Sequence, residues 1–431
     1  MKAFINARIY DFHTFRENSY VLFDEQIIEI GKMSDFTIKG IEQIDCEGQI
    51  LMPSLVCGHS HIYSTFARGM NVEFHPQNFM EILTQLWWKM DYHITNDITY
   101  ASGIVASVDF IKNGVTTLID HHASKEIIGS LEQLKKAVCE DASLRGIFAF
   151  ETSDRFNVEE AIQENIQFIQ NEHSSFTQGL FGLHASLSLS DDTLLNVSKN
   201  LQNNPIHIHV AESKMDEQDS ISNYGLRVIN RLDQFKLIQK NSILVHALYV
   251  NDAELTIIKE REAVVALNIS SNMNNGVGLP NYNALKEKGI KVIIGNDGLS
   301  SSMTLEYLYL YYSMHLKEES PLAFSLEDLR KIILDTYEFA SNRFNIKMGK
   351  IEKGYVADLL TIPYIEPTPL NKDNVLSHLF FGLFPQFKPK NVFVAGKQVL
   401  TNYHVSPALE ASYLLAKTKA SKLWEEIKKE G

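Results

Sequence analysis

The chain turns on the stretch Ile50-Leu51-Met52-Pro53-Ser54-Leu55-Val56-Cys57-Gly58-His59-Ser60-His61-Ile62-Tyr63. The apolar run Ile50–Val56 has the length of a buried strand rather than a helix. In a strand the side chains at i and i+2 share a face, so His59 and His61 project together. Two imidazoles at a strand end make half of a divalent-metal site, because neutral imidazole is the commonest protein ligand for zinc. Alone, such a pair is more often two ordinary surface or core histidines. The rest of the chain decides between these readings.

Downstream, apolar runs alternate with helical patterns. The runs are Val115–Asp120, Gly146–Glu151, Leu180–His184, Ile206–Ala211, Ile243–Ala247, Val264–Ile269 and Val292–Asp297, which with the opening strand make eight. Helical periodicity lies between them, over Ile98–Lys112, Ile127–Ala142, Val158–Ile169, Asp191–Leu201 and Ile221–Phe235. Eight strands alternating with helices predict an α/β fold, a (β/α)8 TIM-like barrel. An open doubly wound sheet would want a glycine-rich phosphate loop, and neither G-x-G-x-x-G nor G-x-x-x-x-G-K-[ST] occurs.

Both chain ends have β texture. Ala3–Tyr10, Tyr20–Phe23 and Gln26–Gly31 read as strands, as do Gly354–Ile362 and Asn391–Lys397, and Ala408–Glu430 reads as a terminal helix. The expected organisation is residues 1–54 and 347–431 building one small β-sandwich domain, the latter with the terminal helix, around a hydrolase barrel of residues 55–346.

Of 431 residues, 45% are apolar and 22% charged, enough to bury a large core. A net charge of −13 argues against nucleic acid or an anionic membrane as partner, since both would repel it. Cys46, Cys57 and Cys139 are few, odd in number and dispersed, which fits a reducing cytoplasm. The N-terminus lacks a signal layout and no stretch is long enough for a membrane span, so the expected location is cytoplasmic.

In a (β/α)8 enzyme the chemistry sits where the strands end. Strand one ends in His59 and His61. Strand five, Ile206-His207-Ile208-His209-Val210-Ala211-Glu212, points His207 and His209 one way, with Glu212 just beyond. Strand six ends in His246, and strand eight in Asn296-Asp297-Gly298. Each has a bland reading, His207 and His246 as structural core histidines and Asp297 as a turn residue. Their joint occurrence at strand ends gives three or four nitrogen and oxygen donors with an open position, the layout of a catalytic metal site.

With these pieces the chain resembles the amidohydrolase superfamily, in the aminohydrolase/chlorohydrolase branch that includes cytosine deaminase, guanine deaminase and S-adenosylhomocysteine deaminase. The matching segments are Pro53–His61, His209–Glu212, His246, Asn268–Asn275, Asn296–Gly298 and Gly354–Leu360. In finer detail, Tyr63–Met70, Asp120–Ser124, Gly182–Ser186 and Ser271–Asn275 are similar to aminohydrolases of SsnA type. The resemblance implies one divalent ion, zinc first with iron or manganese as alternatives, held by His59, His61, His209 and Asp297. It also implies catalytic roles for Glu212, His246 and Asp297. Ser54, Ile269 and Asn296 depart from the usual Gly, Pro and Thr or Ser, without removing a ligand. No lysine follows strand four (His184-Ala185-Ser186-Leu187), so a carboxylated-lysine binuclear centre is not expected.

Together these readings predict an aminohydrolase that deaminates a purine, pyrimidine or pterin by metal-hydroxide attack and releases ammonia. The ion would lower the pKa of its water to about 7, and Glu212 would shuttle the proton. A chlorohydrolase, a cyclic-amide hydrolase and a non-catalytic metal-binding relative are the alternatives. The expected partner is the small N-heterocyclic substrate, and a homodimer is compatible with the sequence. Substrate contacts are sought in His184, in Trp88 (with one of Trp87 and Trp88 assigned to the core), and in Arg68 and Arg155, with Glu151 beside them. His121 and His122 are open between a support for the site and a lid.

Overall fold

The computed structural model describes residues 1–430. The N-terminal strands are β1 (Lys2–Tyr10), β2 (Phe15–Phe23), β3 (Ile27–Lys32) and β4 (Glu42–Asp45). The deciding apolar run that follows is two strands rather than one, β5 (Ile50–Pro53) and β6 (Leu55–Ser60). Pro53 has no N–H to continue a ladder, and the backbone changes partners at Ser54. The Ser54 N–H donates to the Asp358 carbonyl at 3.0 Å, and the Leu55 N–H to the Gly114 carbonyl at 2.7 Å. Periodicity could not see this hand-over, because both strands are fully buried.

The barrel continues with β7 (Val115–His122), β8 (Arg145–Phe150), β9 (Thr177–Gly179), β10 (Phe181–Ala185), β11 (Ile206–Val210), β12 (Ile243–His246), β13 (Val264–Leu267) and β14 (Lys291–Ile294). Every one of these pairs is parallel. The fourth strand is longer than expected and breaks at Leu180, so that β9 pairs with β8 and β10 with β11. Counted as one, β9 and β10 leave eight barrel strands.

Hydrogen bonds cross both seams between the two parallel sheets. Thr152 N–H donates to the Gly182 carbonyl (3.1 Å) and His184 N–H to the Thr152 carbonyl (3.0 Å). At the other seam Asn296 N–H donates to the His59 carbonyl (3.0 Å) and His61 N–H to the Asp297 carbonyl (3.1 Å). Glycine permits this approach: a Cβ on Gly58 would stand 2.7 Å from the Ile294 carbonyl oxygen, and one on Gly295 only 2.4 Å from that of His59.

The C-terminal strands are β15 (Leu359–Ile362), β16 (Asn391–Val394) and β17 (Lys397–Leu400). They join the N-terminal strands in one eight-stranded sheet, ordered β17-β16-β15-β5-β1-β2-β3 with β4 also on β1. Residues 25–27 bond back to 354–357, which rolls this sheet around a small apolar core where Phe4 stacks on Phe23 at 4.8 Å.

Two helices differ from their periodicity. The Ile221–Phe235 pattern is two helices, Lys214–Tyr224 and Val228–Gln234, because Gly225 at φ 71° ends the first in a left-handed cap. The Ile127–Ala142 pattern is regular over Ser130–Lys135 and then widens into a π-turn at Lys136–Asp141. The terminal helix, Pro407–Glu430, packs on the barrel helix Asn96–Lys112, and the Trp424 indole N–H donates to the Phe66 carbonyl at 2.6 Å. No helix among the described residues is long and apolar enough to cross a membrane.

Candidate active site

The C-terminal ends of β6, β11, β12 and β14 bring the site together. His59 lies in β6 and His61 just past it, His209 lies in β11, and Asp297 follows β14. One donor atom from each of His59, His61, His209 and Asp297 falls within 4.8 Å of all the others. His61 Nε2 stands 3.1 Å from His209 Nε2 and 3.2 Å from Asp297 Oδ1, and His59 Nε2 is 3.7 Å from the same oxygen.

The other nitrogen of each histidine is already engaged. His61 Nδ1–H donates to the His121 carbonyl (2.6 Å), and His209 Nδ1–H to that of His184 (2.8 Å). A carbonyl only accepts, so these bonds put a proton on Nδ1 and aim Nε2 inward. His59 Nδ1 pairs with His207 Nε2 at 2.8 Å, while its Nε2 is buried with no hydrogen-bond partner. That orphaned nitrogen, two facing imidazoles and a carboxylate are a donor set that fits a divalent cation.

Electrostatics agrees. Burial holds His59 down at about 3 and His209 well below its ordinary value, so both are neutral. Burial also acts on His61, but the Asp297 carboxylate overrides it and holds the imidazole up at about 10. Asp297, despite burial, is kept well below the usual carboxylate range by His59 and His61.

Glu212 and His246 border this cluster. His246 Nε2 is 3.5 Å from Glu212 Oε2 and 3.6 Å from Asp297 Oδ2. Its Nδ1 pairs with Asn272 Oδ1 at 2.8 Å, and burial lowers its pKa. Burial and the nearby Asp297 charge push Glu212 up to about 8, so it carries a proton at neutral pH. The turns that present these groups are left-handed at non-glycine residues, namely Ala211 (φ 46°), His246 (φ 70°), Ala247 (φ 50°) and Asp297 (φ 56°). Such conformations cost of order 1–3 kcal/mol each and cluster at functional sites.

The cluster opens into a cavity whose lining includes Trp87, Trp88, His184, Leu187, Asp91, Glu151 and Asp216. Both tryptophans line it, and Trp87 also packs against the buried cluster of Met90, Ile94 and Ile98, as expected for one of the pair. His184 Nδ1 is held by the Ser188 hydroxyl at 2.6 Å, and its ring centroid lies 6.3 Å from that of Trp88. Arg155 does not line the cavity. It stacks 5.0 Å from the Trp88 ring and pairs with Asp91 (2.8 Å) and Glu151 (3.4 Å), which do. Arg68 is also outside, exposed and paired with Asp109 at 2.9 Å.

His121 and His122 lie within β7, so neither belongs to a lid. His121 Nε2–H donates to the His207 carbonyl (3.0 Å), while its Nδ1 is 3.1 Å from Glu151 Oε1. His122 pairs with Thr99 at 3.2 Å. His61, His121, Glu151 and His209 form a second donor group within 4.8 Å that overlaps the first at two residues. Sequence reasoning gave no role to Asp91, Asp216 or Asn272. Only Asp216 had a legible signal, an acid one helical turn beyond Glu212.

The chain is 27% identical over 411 residues to a 5-methylthioadenosine/S-adenosylhomocysteine deaminase of Bacillus cytotoxicus, covering 90% of each chain. It is 28% identical over 360 residues to a 5'-deoxyadenosine deaminase of Methanococcus maripaludis, covering 79% of this chain and 81% of that one. The structure of an adenosine deaminase from Xanthomonas campestris with bound zinc matches at a TM-score of 0.83 over 98% of both chains, with 21% identity. Atrazine chlorohydrolase from Arthrobacter aurescens in complex with zinc matches at 0.81 over 98% of this chain and 100% of that one, with 17% identity. At these identities the two structures attest the fold. The Amidohydrolase family model matches residues 50–399, and the chain belongs to the amidohydrolase family.

Proposed function

We propose that the protein is a metal-dependent aminohydrolase that replaces the amino group of a nitrogen heterocycle by oxygen and releases ammonia. The observation that carries this reading is Glu212, a buried carboxyl held protonated near neutral pH beside a four-donor cluster that opens on one side into a cavity. Hydrolysis at a C=N carbon needs a proton on the ring nitrogen as oxygen adds, and a protonated carboxyl supplies it. The relatives named as deaminases of adenosine-type nucleosides favour a purine nucleoside within the purine, pyrimidine or pterin class.

His59, His61, His209 and Asp297 would hold the ion, zinc by preference for three nitrogens and one oxygen. When bound there, it supplies Lewis acidity that acidifies water and polarises the substrate. Asp297 Oδ2, facing His246 rather than the histidine ligands, takes a proton as water is consumed. Glu212 delivers its proton to the ring nitrogen, regains one from the hydroxyl of the adduct and passes that to the departing amine, and the proton taken by Asp297 restores Glu212. Neutral His246, its Nδ1 fixed by Asn272, holds oxygen in the orientation needed for attack. Trp88 and His184 bind and orient the ring, whereas Arg155 acts by fixing Asp91 and Glu151.

The test is ammonia release by zinc-loaded protein across 5'-deoxyadenosine, 5'-methylthioadenosine, S-adenosylhomocysteine, adenosine, guanine, cytosine, pterins and a chlorinated triazine. Ammonia with an oxo product whose oxygen comes from labelled water is expected. Chloride release from the triazine with no ammonia from any aminated ring would overturn the reading.

A further inference from the structure

The histidines of the donor cluster differ in what holds them. His61 and His209 each give the Nδ1 proton to a backbone carbonyl, that of His121 in β7 and that of His184 in β10. A carbonyl can only accept, so the main chain alone fixes the orientation of these two rings. His59 has no such partner. Its Nδ1 meets a side chain, Nε2 of His207, at 2.8 Å.

His207 is the second residue of β11, two before His209, and both it and His59 are fully buried. Its ring packs 4.4 Å from that of His121, whose Nε2–H donates to the His207 carbonyl at 3.0 Å. The Nδ1 of His207 is buried and has no hydrogen-bond partner among the described residues. An aromatic hydrocarbon would fill this place without stranding a nitrogen, so packing alone does not account for a histidine here.

The protons can be placed. A neutral imidazole carries one. With the lone pair of His59 Nε2 offered to an ion, the His59 proton lies on Nδ1 and is donated. His207 Nε2 must then accept, which puts the His207 proton on Nδ1, the atom without a partner. The opposite assignment, with His207 donating, would leave a proton on His59 Nε2 and block that ligand. The stranded nitrogen of His207 is what the ligating form of His59 entails.

We propose that His207 is a positioning residue for His59, its Nε2 accepting the Nδ1 proton so that His59 Nε2 is presented to the ion. His59 is then the one histidine of the three oriented by a side chain rather than by the main chain. This rests on His59 as a metal ligand. A partner of this kind is worth about 10- to 100-fold in metal affinity.

The experiment measures zinc affinity, by competition with a chelator, for wild type, His207→Phe and His207→Gln, and follows imidazole N–H signals by NMR in the cobalt-substituted proteins. Phe fills the volume and accepts nothing, and is expected to weaken zinc binding about 10- to 100-fold. Gln offers an amide oxygen near the place of Nε2 and is expected to return affinity to within about threefold of wild type. In the cobalt protein each of His59, His61 and His209 should give one exchangeable, hyperfine-shifted N–H signal. One of these should move in the Phe variant and return in the Gln variant, while the others stay.

Wild-type zinc affinity in the Phe variant would overturn the proposal. Equal weakening by Phe and Gln would do so too, leaving His207 a packing role. If the Phe variant fails to fold, the wild-type cobalt spectrum still decides, because fewer N–H signals than histidine ligands would show that His59 does not donate to His207. His59→Ala separates the two claims. Zinc bound there as in wild type removes His59 from the ligand set, whereas lost zinc in that variant beside unimpaired binding by His207→Phe removes only the role of His207.

Discussion

The two ends of the barrel handle their polar groups in opposite ways. At the N-terminal end, Arg145 is the first residue of β8 and is 1% exposed. It meets Asp358 through two bonds, at 2.7 and 3.1 Å, and also donates to the Ser175 carbonyl. Asp358 accepts the Ala395 N–H at 2.7 Å, and the Tyr337 hydroxyl closes the neighbouring Ser54 carbonyl at 2.9 Å. At the C-terminal end His59 Nε2, His246 Nε2, Asp91 Oδ1 and Asp216 Oδ1 are buried without partners, and four non-glycine residues are left-handed. Leaving a buried polar atom unpaired costs about 1–3 kcal/mol. The Arg145–Asp358 network is paired throughout, whereas at the other end the unpaired atoms gather around the four-donor cluster and its cavity.

The largest expected effect breaks the unsatisfied end. His61→Ala removes a ligand whose ring contributes little to the apolar core, so circular dichroism should stay native while bound metal and activity fall below detection. Metal at wild-type occupancy in that variant would show that the donors are misassigned. Next, Arg145→Ala attacks the satisfied end. It strands the buried Asp358 carboxylate and should cost about 3–5 kcal/mol in denaturant unfolding, with metal content per folded chain unchanged. A loss within about 0.5 kcal/mol would mean that the ion pair is not what joins the rolled sheet to the barrel.

Smaller is Asn272→Ala, which frees His246 to rotate and should lower turnover about 10- to 100-fold at constant metal content. Unchanged turnover would remove His246 from the chemistry. The smallest effect concerns stability without metal. Glu212 ionises only near pH 8 when folded but near pH 4.3 when unfolded, so its burial destabilises the fold progressively as pH rises between these values. Glu212→Gln removes that penalty. The Tm of the metal-free variant, relative to wild type, should therefore rise from pH 5 to pH 8, and a constant difference would refute the raised pKa.

What the sequence disclosed follows the same division. The alternation of apolar runs revealed a barrel, and histidines two residues apart at strand ends revealed the donor cluster, because both signals are local. The break at Ser54 was hidden, since β5 and β6 are equally apolar and differ only in their hydrogen-bond partners. The gap at Gly225 was legible in principle as a glycine cap, yet the periodicity on either side concealed it. Arg155 and Arg68 look alike in sequence as cations in the segments that follow barrel strands, but only the fold puts Arg155 behind Asp91 and Glu151 and turns Arg68 outward to Asp109. Asp91 and Asn272 gain their meaning from neighbours distant in sequence.

Glu212→Gln, measured twice on one preparation, tests the role of Glu212 as proton carrier most directly. Metal analysis should return one divalent ion per chain, as in wild type, while ammonia release falls on the order of 10²–10⁴-fold. Wild-type turnover, or loss of the ion together with activity, would contradict it.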